Sequence, residues 1–160
     1  LEDGTVDAGI TYSDNVSSDM LMVQPLYEEH YVLLAPANLV SGQTGSITWA
    51  EAAELPLSLL EPNMQNRRIL DRMFEEVGVR PRVISETNAL SISMVMAFEG
   101  LAATVVPSVL LDTFGTLQGT VALPMVEPEL RKNISLVTGT RMSGLPTVEA
   151  LRKVLLDFPS

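Results

Sequence analysis

Apolar residues fall in short runs in some parts of the chain and at helical spacing in others. Val6-Asp7-Ala8-Gly9-Ile10-Thr11 reads as a short strand ending in the polar loop Tyr12-Ser13-Asp14-Asn15. Leu21-Met22-Val23 and His30-Tyr31-Val32-Leu33-Leu34-Ala35 are strand-like, and the second is apolar almost throughout, as in a strand covered on both faces. His30 is therefore expected to be a satisfied packing residue. Pro36 stops this strand, and residues 37–46 form a loop with Gly42 and Gly45. Thr48 caps a short helix, with Glu51 at capping-box spacing, Ala52 and Ala53 inside, and Trp49 expected on its outer side. Residues 57–60 form a buried strand. The polar turn Glu61-Pro62-Asn63-Met64-Gln65-Asn66 then opens a helix over about 67–77. Ile69, Leu70, Met73, Phe74 and Val77 share one face of it, and Gly78 ends it.

The second half continues the alternation. Residues 82–85 read as a strand, Thr87 or Asn88 caps a helix over about 89–99, Gly100 ends it, and 102–106 form the next strand. Further strands fall near 121–123 and 133–137. Pro146-Thr147 starts a last helix with Val148, Leu151, Val154 and Leu155 on one face. Strand, helix, strand, helix, strand argues for an α/β fold with mainly parallel sheets and right-handed crossovers. In such sheets ligands sit outside the carboxyl ends of the strands, beside helix N-termini. The stretch SETNALSISMVMAFEGLAATVVP, residues 85–107, has that form. Its helix start leaves backbone N–H groups free for a carboxylate or another anion. In the plainer reading, Asn88 only caps its helix.

Composition narrows the chemistry. With 160 residues, 46% of them hydrophobic and 19% charged, the chain is long and apolar enough for a core. It has no cysteine and one histidine, which excludes disulfides, thiolate metal sites and His-rich metal sites. No metal or cofactor is implied. Residues 1–66 hold ten acids and no Lys or Arg, so the whole net charge of −10 comes from them. Such a surface repels a phosphate backbone, and direct nucleic-acid binding by this chain is not expected. No apolar run is long enough for a membrane helix, and no signal peptide is visible. The first residue is not Met, so a fragment or processed product is expected.

The segments 1–10, 25–34, 47–53, 67–81 and 85–107, in that order, resemble the effector domain of LysR-type transcriptional regulators. Leu1-x-x-Gly4-x-Val6-Asp7-Ala8-Gly9-Ile10 is similar to that family's L-x-x-G-x-L-D-x-A-I strand. Pro25-Leu26-Tyr27-Glu28-Glu29-x-Tyr31-Val32-Leu33-Leu34 is similar to its P-L-x-E-E-x-L-x-L-V crossing strand. Ile47-Thr48-Trp49-Ala50-Glu51-Ala52-Ala53 fits its V-S-L-x-D-L helix. Arg67-x-x-Leu70-Asp71-x-x-Phe74-x-x-x-Gly78-x-x-Pro81 fits R-x-x-L-D-x-x-F-x-x-x-G-x-x-P. The stretch 85–107 matches small polar, helix, Gly-x-Gly/Ala, apolar strand, Pro, with Ala102 at the second glycine.

The resemblance implies a two-lobe fold like type 2 periplasmic binding proteins. Lobe I would be 1–35 with 126–160 and lobe II 36–125, with crossings near 31–35 and 123–126. The family's effector domain begins with further residues, so lobe I is expected to be incomplete here, and DNA binding would lie in an absent N-terminal domain. A small anionic effector would bind in the inter-lobe cleft. The matching positions are Tyr12 and Ser13 from lobe I, and Met64, Gln65, Asn66, Thr87, Asn88, Ala89, Val106 and Pro107 from lobe II. Tyr12 either covers the cleft or packs on the surface. Arg67 and Arg68 stand at a helix start, where the dipole disfavours cations; their offset is an anionic effector or an ion pair with Asp71 or Glu61. A homo-oligomer, dimer or tetramer in the full-length protein, a cytoplasmic address and no membrane association are implied. The alternative is an extracytoplasmic solute-binding protein of a transport system. An enzyme on the same scaffold is disfavoured: there is no nucleophile elbow, no glycine-rich phosphate loop and no second His, and Glu61 and Glu99 are the carboxylates placed next to the site.

Overall fold

The two apolar segments around Val23 and Leu33 form one strand, β2 (Leu21–Pro36), sixteen residues long. The intervening Gln24–Glu29 continues the strand, with Pro25 at an exposed position. The computed structural model describes residues 6–16, 19–115, 118–140 and 144–156. They divide into two compact units, one drawn from Leu1–Glu29 and Arg131–Ser160 and the other His30–Leu130.

In the first unit, β1 (Ala8–Tyr12) pairs antiparallel with β8 (Arg131–Gly139), from Ala8 opposite Thr138 to Tyr12 opposite Ile134. β8 lies between β1 and β2. The last helix, α5 (Pro146–Leu156), buries only Val148 among the apolar residues expected on its inner face; Leu151 and Val154 are exposed. Arg152 of α5 donates to the Gln24 side chain of β2 and to Glu149.

The second unit holds the α/β part. It contains β3 (Ile47–Thr48), α1 (Trp49–Glu54), β4 (Leu57–Leu60), α2 (Gln65–Val77), β5 (Val83–Thr87), α3 (Leu90–Phe98), β6 (Thr104–Pro107), α4 (Ser108–Phe114) and β7 (Thr120–Val126). β4 pairs parallel with β5, and a parallel bridge from Leu57 to Ala103 sets β6 on the other side of β4. β6 and β7 flank β2 and both run antiparallel to it, while β3 runs parallel to β7. The sheet is thus mixed, not mainly parallel, because β2 runs against the β4–β6 direction. Leu33, Leu57, Leu70, Phe74 and Val105 are almost fully buried in its core.

Two side chains depart from expectation. Trp49 is completely buried instead of lying on the outside of α1. As the first residue of α1 it stands edge-on to Phe74, with ring centroids 5.1 Å apart, and its indole N–H donates to the Pro128 carbonyl at 2.9 Å. His30 is exposed rather than packed: Glu29 and Tyr31 take the inward side of β2 at this point, and the strand is covered on both faces only from Tyr31 onward. α4 has no counterpart in the sequence reading. It buries no residue fully, and Leu110 and Leu111 only lean on the cluster of Val32, Leu34, Ala97 and Val106.

Local signals held well. Gly78 has φ 78°, the left-handed conformation that ends α2. The capping box is complete: the Glu51 N–H donates to the Thr48 hydroxyl, and the Thr48 N–H donates to the Glu51 carboxylate at 2.9 Å. The Thr48 backbone, Gln43 and the Thr48 hydroxyl, in that order, lower the Glu51 pKa. Stabilisation from this carboxylate is therefore present above its ordinary pKa of 4.5 and is lost as pH falls through the depressed value. Thr48→Ala is expected to lower stability by about 0.5–2 kcal/mol at neutral pH. Glu51→Gln should flatten the acid limb of stability against pH, measured by urea unfolding across the range below the ordinary carboxylate pKa.

Candidate functional site

Within the second unit, β4, β5 and β6 run in the same direction, and each leads from its carboxyl end into a helix. Leu60 pairs with Thr87, and the Glu61 N–H donates to the Thr87 carbonyl at 2.9 Å, so the loops after β4 and β5 lie side by side. The N-termini of α2 and α3 therefore open at one sheet edge, where the α/β rule places ligands.

The helix starts differ from the sequence reading. α2 begins at Gln65, so Gln65 and Asn66 belong to its first turn and not to the preceding loop, and Met64 is the N-cap with no side-chain cap bond. The Asn66 Oδ1 is buried and has no hydrogen-bond partner among the described residues. Neither Thr87 nor Asn88 caps α3. Thr87, buried at the end of β5, accepts the Ala89 N–H on its hydroxyl at 3.2 Å and closes a local turn. That turn uses the hydroxyl two residues too early to reach the helix, so the N-cap falls on Ala89, which has no side chain to bond. Asn88 is exposed. Val106 and Pro107 end β6 and are buried at the same edge.

Tyr12 and Ser13 lie in the first unit, at the end of β1 and the start of a 3-10 turn, Ser13–Asn15. Tyr12 is half-buried. The Ser13 hydroxyl donates to the Asn133 carbonyl at 3.0 Å and lies 2.6 Å from the Ser135 hydroxyl, tying the turn to β8. Burial, then the charge of Glu29, then Tyr12 push the Tyr27 phenol above its usual pKa.

Arg67 is buried and its guanidinium is engaged inside the protein: Nε with Asp71 at 2.8 Å, and Nη1 with the Leu60 carbonyl at 2.7 Å and with Glu86 at 2.9 Å. Burial acts to lower its pKa, but the hydrogen bonds and charges of Asp71 and Glu86 outweigh burial and hold it above the usual value. The ion-pair reading with Asp71 is the one observed; Glu86, and not Glu61, is the second carboxylate. Arg68 is exposed. Glu99 sits at the far end of α3 from the loops, at its C-cap, so it is not a carboxylate of this edge. No group of three His, Cys, Asp or Glu side chains suited to a metal occurs among the described residues.

The sequence reading missed the polar atoms under α3. Ser58 of β4 and Ser93 of α3 are fully buried with their hydroxyls 2.9 Å apart, and Thr104 of β6 is fully buried with a hydroxyl that has no hydrogen-bond partner among the described residues. A serine inside Leu57-Ser58-Leu59-Leu60 was the available signal.

A mixed α/β chain with helix N-termini gathered at the carboxyl edge of parallel strands is the architecture of periplasmic-binding-protein-like ligand domains. Residues 1–159 match the LysR substrate binding domain, and the chain belongs to that family. A probable nitrogen assimilation transcriptional activator of Synechococcus elongatus is 24% identical over 156 residues, covering 96% of this chain and 50% of that protein. The chain thus spans half the length of this relative. Among solved structures, the OxyR C206 mutant of Corynebacterium glutamicum superposes with TM-score 0.77 at 18% identity, covering 98% of this chain and 49% of that one. The C-terminal domain of a probable LysR family transcriptional regulator from Rhodococcus sp. RHA1 gives TM-score 0.75 at 21% identity, covering 97% and 76%.

Proposed function

We propose that this chain is the effector-sensing part of a LysR-type DNA-binding transcription regulator, and that its effector is a small metabolite with an anionic group. The single observation that carries the site is the pair of helix starts, α2 and α3, set side by side without side-chain caps. First-turn N–H groups and the helix dipole attract a carboxylate or sulfate there. Gln65, Asn66, Thr87, Asn88 and Ala89 would contact it, with Met64, Val106 and Pro107 beside them. Tyr12 and Ser13 of the first unit are the further effector contacts that the family resemblance implies, with lobe I as 1–35 and 126–160 and lobe II as 36–125. The domain works without catalysis: the effector shifts an equilibrium between two arrangements of the protein. DNA contact belongs to a separate part of a cytoplasmic homo-oligomer, since the acidic first 66 residues repel DNA.

A thermal-shift panel of small carboxylates, sulfate, amino acids and neutral sugars tests this. An acid at a hundred times its Kd should add about 2.7 kcal/mol and raise Tm by roughly 5–10 °C. Stabilisation by sugars alone would overturn the anionic assignment. Consumption of a stabilising compound would overturn the non-catalytic one.

A further inference from the structure

A buried arginine in the first turn of a helix sits in an unfavourable field, because the positive end of the dipole opposes it. Arg67 holds such a place in α2, 8% exposed. Its bonds explain why it is tolerated and what it does. Nε meets Asp71, one turn on in the same helix, at 2.8 Å. Nη1 reaches out of the helix, to the carbonyl of Leu60, the last residue of β4, at 2.7 Å, and to Glu86, next to last in β5, at 2.9 Å. One guanidinium thus joins the start of α2 to the ends of two neighbouring strands. The segments that leave those ends are Glu61 to Met64 and Thr87 to Ala89, and the Glu61 N–H bridges them by donating to the Thr87 carbonyl.

We propose that Arg67 is a positioning residue for the effector site: with Glu86 it holds the loop before α2 and the loop before α3 at a fixed separation. The assignment to effector binding rests on the reading above; the latch itself does not. Arg67 is poorly suited to contact an effector directly, since its guanidinium already faces two carboxylates and a carbonyl and is almost out of solvent. The two carboxylates have different tasks. Asp71 steadies the side chain from its own helix, whereas Glu86 closes the link to β5. Lysine cannot take over, because a compact ammonium on a flexible stem lacks the planar fork that spans these acceptors.

Amide hydrogen exchange on the isotope-labelled chain, read residue by residue, tests the latch without any ligand. The reporters are the Glu61 N–H, bonded to the Thr87 carbonyl, and the Ala89 N–H, bonded to the Thr87 hydroxyl. Arg67→Lys and Glu86→Ala should speed exchange at both by about tenfold, while Asp71→Ala changes them by less than about threefold. Core amides such as Leu33 and Val105 should keep their rates in all three variants. Acceleration spread evenly over the second unit would show a merely structural arginine and overturn the proposal. So would unchanged exchange at Glu61 in Arg67→Lys and Glu86→Ala. A failed latch is seen in this experiment, and a failed effector reading in the thermal-shift panel, so the two cannot be confused.

Discussion

Trp49→Ala is expected to destabilise the second unit by about 3–5 kcal/mol, the largest effect of any single truncation proposed for this chain. The indole is completely buried, stands edge-on to Phe74 at 5.1 Å and carries a hydrogen bond to the Pro128 carbonyl. Removing it opens a cavity between α1 and α2 and leaves that carbonyl without its donor. Trp49→Phe separates the two contributions: it keeps most of the apolar contact and loses the N–H, for a cost of about 1–2 kcal/mol. Urea unfolding followed by circular dichroism reads both. A loss below about 1 kcal/mol for the alanine variant would mean that the site collapses around the missing ring and that Trp49 is not a keystone of the α1–α2 contact.

Thr87→Val should weaken effector binding by about tenfold or more, which corresponds to about 1.4 kcal/mol. Valine keeps the shape of the buried side chain and removes the hydroxyl. The Ala89 N–H then loses its acceptor, and the turn that sets the first residues of α3 loosens. Some of the effect will appear as stability, about 1 kcal/mol, so calorimetric affinity must be measured well below the unfolding range. Asn88→Ala is the matched comparison: the residue is exposed and caps nothing, so stability should stay within about 0.5 kcal/mol while any direct effector contact is lost. Full affinity in Thr87→Val would place the effector away from the α3 start.

What the sequence disclosed here was mostly local. The Thr48–Glu51 box and the Gly78 stop depend on residues within one turn of each other, and both formed as read. The Arg67–Asp71 pair was open to the same logic, four residues apart on one helix face. Glu86 was not, because only the β4–β5 register brings it to Arg67. Trp49 and His30 failed for a related reason: which side of a short helix or a long strand meets the core is decided by the elements packed against it. The antiparallel course of β2 against β6 and β7 was equally hidden, since strand order along the chain does not reveal strand direction in a crossing segment. At the candidate site, the strand-end positions were legible from the α/β pattern. The Thr87 turn that shifts the α3 cap to Ala89 was not, because a Thr-Asn pair serves a cap or a turn equally well.

The most direct test of the sensing account is amide chemical-shift mapping of the labelled chain with the acid that gives the largest thermal shift. The account predicts saturable changes concentrated at Gln65, Asn66 and Thr87 to Ala89. Changes confined to the β2, β8 and α5 surface of the first unit, with none at the starts of α2 and α3, would contradict it.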